Sequence, residues 1–66
     1  MKADRVEVSR DKQSNRWLVR IQVGAEVIRR HCDASPDVDE ATLRALAAQT
    51  ATDEGYSVDP PDIVVT

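Results

Sequence analysis

Arg29-Arg30-His31-Cys32 sets the chain's only histidine beside its only cysteine, directly after two arginines. If they met at one point, the thiol and the imidazole could form an activated nucleophile or begin a zinc site. Whether they meet depends on the local backbone. The run EVIRRHC that contains them is rich in β-branched residues and reads as a strand, in which neighbouring side chains point to opposite faces. His31 and Cys32 therefore diverge, and together they fall short of the roughly four ligands a zinc ion takes. Asp37, Asp39 and Glu40 form an acidic cluster without the Asp-x-Asp-x-Asp-Gly spacing of a calcium loop, and their place ahead of an apolar helical run suits capping better. No glycine-rich phosphate loop or nucleophile elbow occurs in the 66 residues. The sequence points to no catalytic residue, no metal, no cofactor and no small-molecule substrate, and to a protein that is not an enzyme.

The elements that would carry these residues can be read from periodicity. In RVEVSR, Val6 and Val8 lie on one side, with Arg5, Glu7 and Ser9 on the other. RWLVRIQV places Trp17, Val19, Ile21 and Val23 on one face and Leu18, Arg20 and Gln22 opposite. Gly24-Ala25 has the form of a two-residue type II′ hairpin turn, which sets Val23 against Glu26, Ile21 against Ile28, Val19 against Arg30 and Trp17 against Cys32. A four-residue turn over Asp11–Ser14 is expected to set Val8 against Trp17, Val6 against Val19 and Arg5 against Arg20. One face then gathers Val6, Val8, Trp17, Val19, Ile21, Val23, Ile28 and Cys32. Arg30 is the misfit on that face and must snorkel past its edge.

From Ser35 the period changes to that of a helix. SPDVDEATLRALAAQTATDEG offers Ser35 or Asp37 as N-cap, the latter with Glu40 as a capping box. Leu43, Leu46, Ala47 and Thr50 share the inward side, flanked by Val38 and Ala45, and Gly55 is the C-terminal stop. Tyr56 and Val58 pin the exit, Pro60-Pro61 prevents further helix, and IVVT is a short last strand. The fold class is α+β, in the order β-β-β-α-β: a four-stranded mixed sheet of strand order 3-2-1-4 with one helix packed on one face. This element order resembles that of small β-β-β-α-β domains, among them the partial ribonuclease-H-like antitoxin fold and double-stranded-RNA-binding-like modules. The resemblance is one of element order and implies no site residues.

Composition fits a single small domain spanning 1–66. Nine Val, three Ile, three Leu, one Trp and one Tyr allow one thin core and no deep pocket. A lone cysteine forms no internal disulfide, and the first ten residues carry no apolar leader, so a soluble, cytoplasmic protein is expected.

Charge is the unusual feature. Residues 1–32 carry eight Lys/Arg against four acids, net +4, while residues 33–66 carry one Arg against eight acids, net −7. On the face away from the helix, Arg20 faces Arg29, a like-charge pair that is unfavourable by itself. The candidate binding residues are Arg5, Arg16, Leu18, Arg20, Val27, Arg29 and His31, with Leu18 and Val27 as an exposed apolar centre and Glu7 and Glu26 as partial neutralisers. Self-association or an acidic protein partner is the leading expectation, and nucleic acid is the alternative occupant. Either strand edge could also pair between chains. Against nucleic acid stand the inward-facing Trp17, which leaves no ring for a base to stack on, and the sequence pI of about 4.9.

Overall fold

The structure, a computed structural model, describes residues 1–66. Its elements are β1 (Arg5–Asp11), β2 (Arg16–Val23), β3 (Glu26–Cys32), α1 (Glu40–Asp53), a 3₁₀ turn at Pro60–Asp62 and β4 (Ile63–Val65). The four strands form one sheet in the order β3-β2-β1-β4, antiparallel except for the parallel β1/β4 pair. This is the β-β-β-α-β arrangement expected from the sequence. The helix returns the chain across the sheet, and β4 is thereby laid beside β1.

Alternation decides which face is buried. Val6, Val8, Val19 and Ile21 are fully buried, and Trp17 and Ile63 nearly so. Each such side chain is worth roughly 1.5–3 kcal/mol relative to exposure. The β2–β3 register agrees with the two-residue turn: Val23 pairs with Glu26 and Trp17 with Cys32. Gly24 has φ +59 while Ala25 stays out of the left-handed region, the sign pattern of a type II′ turn.

The β1–β2 register differs from the expectation by two residues. β1 runs on to Asp11, the reversal spans Lys12–Asn15, and Asn15 takes φ +58 to close it. Val8 thus pairs with Val19, Val6 with Ile21, Arg5 with Gln22, and Glu7 with Arg20. A slip of two preserves the faces, because side chains alternate with period two. It changes every cross-strand neighbour.

The helix begins later than either cap read from the sequence. Ser35 Oγ accepts from the Asp37 N–H at 3.2 Å and closes a local turn instead. The N-cap is Asp39, whose side chain accepts from the Thr42 N–H at 2.9 Å. The Thr42 side-chain hydroxyl first, and this N–H second, hold the Asp39 carboxyl below the usual carboxylate range. Val38 packs on the core just before the cap and Leu43 is buried at the fourth helical position, the arrangement of a hydrophobic staple. The buried stripe is Leu43, Ala47 and Ala51; Ala45, expected at its flank, is exposed.

The helix ends in a Schellman motif. The Tyr56 N–H donates to the Ala51 carbonyl, and the Gly55 N–H donates to the Thr52 carbonyl, both at 2.9 Å. Gly55 takes φ +91, a conformation that other residues adopt at a cost. Beyond it, the 3₁₀ turn with Pro60 at its start leads into β4. Arg44 ties helix to strand by donating to the Ile63 carbonyl at 2.7 Å. The segment before β1 joins the fold as well. The Ala3 N–H donates to the Ser57 carbonyl at 2.7 Å, the Ser57 N–H to the Met1 carbonyl at 2.9 Å, and Ala3 is buried.

Leu43→Ala is expected to cost about 2–4 kcal/mol in urea unfolding, because it opens a cavity under the helix. Ala45→Ser, on the exposed side, should stay within about 0.5 kcal/mol of the parent. Gly55→Ala should cost roughly 1–2 kcal/mol through its left-handed backbone. Equal losses for Leu43→Ala and Ala45→Ser would contradict this packing.

Candidate functional site

The open face of the sheet is built by the residues that alternation turns away from the helix. β1 supplies Arg5, Glu7, Ser9 and Asp11; β2 supplies Arg16, Leu18, Arg20 and Gln22; β3 supplies Val27, Arg29 and His31. All seven candidate binding residues therefore share one face. They do not behave as one cluster, because carboxylates from the same face divide them.

Glu7 is the hub of the first group. Its carboxylate accepts from Arg5 Nη2 at 3.2 Å and lies 3.6 Å from Arg20 Nη1. Arg5, Glu7, Arg20, Gln22 and Val27 line a shallow depression of about 210 Å³. Arg20 Nε is shielded there and has no hydrogen-bond acceptor. A buried donor without a partner carries an uncompensated desolvation penalty. Across the strand, Arg29 is the direct neighbour of Arg20. Arg29 is exposed, and no carboxylate lies within ion-pair distance of it.

The second group lies at the far end of the strands. His31 Nε2 is 3.0 Å from Asp11 Oδ2, across β2 and over Leu18. The Asp11 carboxyl is held below its ordinary range, first by the His31 side chain, then by the Ser14 hydroxyl and the Gln13 N–H. Arg16 pairs with Asp33 at 3.1 Å. Leu18, expected to be exposed, is half-buried between Ser9 and His31, its partners on either side. On this face Val27 is the large apolar residue that stays exposed, at 37%.

Several sequence expectations change. Arg5 does not oppose Arg20; the two-residue shift in register puts Gln22 there and brings Glu7 to Arg20. Glu26 does not neutralise this face, because it alternates with Val27 and lies on the helix side. Glu7 and Asp11 were not among the candidate residues. The missed signal was Asp11 itself: counting it as the last strand residue, rather than the first of the turn, brings each acid opposite or diagonal to a cation.

On the helix side the remaining reactive groups have structural partners. Cys32 is half-buried, with Sγ 3.5 Å from Thr50 Oγ1. Trp17 Nε1 donates to the Ser35 carbonyl at 3.3 Å, and the Arg10 guanidinium lies 5.6 Å from its ring centroid. Arg30 does snorkel past the core edge, to an ion pair with Glu54 at the helix C-cap. His31 and Cys32 lie on opposite faces, and no three His, Cys, Asp or Glu side chains converge as metal ligands. No helix is long and apolar enough to cross a membrane.

The Asp11–His31 contact has a pH signature. A carboxyl with a folded midpoint below its unfolded value, about 3.9, contributes stability that is fully present above that value. The contribution is lost as pH falls through the lower folded midpoint. His31→Ala should raise the Asp11 midpoint towards the ordinary value in a carboxyl-carbon NMR titration and shrink the acid-dependent part of the stability. An unmoved Asp11 midpoint would show that His31 is not its main partner.

No protein family, curated protein or solved structure matches the chain.

Proposed function

We propose that the chain is a non-enzymatic binding module whose open sheet face, centred on Arg20 and Arg29, receives an acidic segment of a partner protein. The observation that carries this reading is Arg29: it sits directly opposite another arginine with no carboxylate of its own. A small domain has little stability to spare, and a like-charge cross-strand pair lowers it. A carboxylate entering from a partner would lie between the Arg29 guanidinium and the exposed part of the Arg20 guanidinium and offset their mutual repulsion. Val27 supplies an apolar contact beside it, and Arg5 and Gln22 close the depression.

Size and chemistry narrow the occupant. The depression is below the roughly 300–1,000 Å³ typical of small-molecule pockets. Trp17 is part of the core and Tyr56 packs against it, which leaves the open face without a ring for base stacking. A second copy pressed face to face would set the two arginine rows against each other, which disfavours that symmetric pairing of the open faces.

The test uses a glutamate-rich peptide and, separately, an oligonucleotide of equal charge, titrated against the whole chain at low and near-physiological salt. Arg29→Glu should weaken peptide binding by at least about tenfold. The same substitution creates a cross-strand ion pair with Arg20 and should raise stability by about 0.2–1 kcal/mol. Peptide binding that survives Arg29→Glu would remove the open face as the site. Preference for the oligonucleotide would replace the protein partner with nucleic acid.

A further inference from the structure

We infer that β3 is a self-pairing edge, joining two copies of this chain through an antiparallel β3–β3 contact centred on Ile28. This contact uses the strand edge rather than the open face and stands or falls apart from the acidic-partner reading. The two edges of the sheet are unequal. β4 has three residues, whereas β3 has seven, without proline, and pairs only with β2. The helix packs on β1, β4 and β2 and meets β3 only sparsely, so Ile28 remains half-buried.

The backbone pattern says which groups face outwards. The ladder starts from the hairpin-closing pair Val23–Glu26, and hydrogen-bonded and open pairs alternate from there. Glu26, Ile28, Arg30 and Cys32 bond to β2, while Val27, Arg29 and His31 turn their N–H and C=O groups to the free edge. The Arg29 carbonyl bears this out: it accepts from Arg30 Nη1 at 2.8 Å, a side chain standing in for the missing strand.

A two-fold axis through the sheet gives a small set of registers, and side-chain charge separates them. With the axis at Arg29, Arg29 meets its own copy and Ile28 meets Arg30. An axis at Arg30 again sets arginine against arginine. With the axis at Ile28, Ile28 meets Ile28, Glu26 meets Arg30 of the other copy on the helix side, and Val27 meets Arg29 on the open side. That register alone pairs opposite charges directly and makes the Val27–Arg29 pairs hydrogen-bonded. Glu26, which has no ion-pair partner within its own chain, gains one twice over by symmetry. Arg30 exchanges the Arg29 carbonyl for Glu26 of the other copy, and that carbonyl accepts from the Val27 N–H instead. The product is a continuous eight-stranded sheet in which the two open faces run together.

Sedimentation of the full chain over a wide concentration range tests this, with circular dichroism as the check on folding. The wild type should sediment at twice the chain mass when concentrated and dissociate on dilution. Glu26→Arg sets arginine against arginine and should weaken the dimer by at least about tenfold. Adding Arg30→Glu to that variant should restore it. A wild type that stays monomeric at every concentration, or a Glu26→Arg dimer as tight as the wild type, overturns the inference. Should the double variant fail to fold, amide exchange of the wild type decides. Protection of Val27 and Arg29 that rises with concentration supports the contact, and protection independent of concentration overturns it.

Discussion

Val6, Val8, Val19 and Ile21 meet across β1 and β2 with no exposed surface, and the Ala47–Ala51 stripe of the helix is buried against the same core. This contact is the constraint from which the rest follows. A chain of 66 residues has one opportunity to form a core, and here it lies between half of each strand and one side of one helix. Alanine on the helix lets its axis approach the valines closely, as a larger residue would not. The cost of so thin a core is that the sheet is covered on one side only. Whatever the chain binds, it has an uncovered face on which to do so.

The uncovered face shows how charge is handled when burial is scarce. Its cations come from the first half of the chain, and most are answered by acids close by: Glu7 for Arg5 and Arg20, Asp33 for Arg16. Exposed pairs of this kind contribute little to stability, with a typical worth of about 0–1 kcal/mol. Their effect is to leave a pattern, in which Arg29 stands out as the residue without an answer. The acidic second half is likewise largely occupied, with Asp39 capping the helix and Glu54 and Asp59 paired to Arg30 and Lys2. Folding offsets part of the segregation of charge along the sequence by setting Lys2, Arg16 and Arg30 beside Asp59, Asp33 and Glu54.

Backbone satisfaction explains the less regular parts. The Schellman turn at Gly55, the Asp39 cap and the bridge between Lys2 and Ser57 each take up groups that the helix and strands leave unpaired. Arg44 and Arg30 do the same with side chains, the first at the Ile63 carbonyl and the second at that of Arg29. The outer edge of β3 leaves the groups of Val27 and His31 and the Arg29 N–H facing outwards, and this strand is the least covered by the helix.

Element types and their order were legible in the sequence, because period-two burial in RVEVSR and RWLVRIQV and the apolar side of α1 are local patterns that survive folding. So was the face of the strand residues, Arg30's escape included, since alternation fixes it once one buried residue is known; Glu26, counted with the open face although it alternates with Val27, is the exception. The Gly24-Ala25 turn also fixed the β2–β3 register through its length alone. The β1–β2 register was not legible: the DKQSN turn accepts more than one length, and a shift of two leaves the hydrophobic pattern unchanged. Only the folded chain, by placing Asn15 in a left-handed conformation and Asp11 in the strand, decided that Glu7 rather than Arg5 faces Arg20. Likewise Ser35 and Asp37 were the caps legible on paper, and the folded chain uses neither: with Val38 and Leu43 packed on the core, the cap is Asp39. Local periodicity determined the elements and their faces; which charges meet across them was decided by turn length and packing, which are properties of the whole chain.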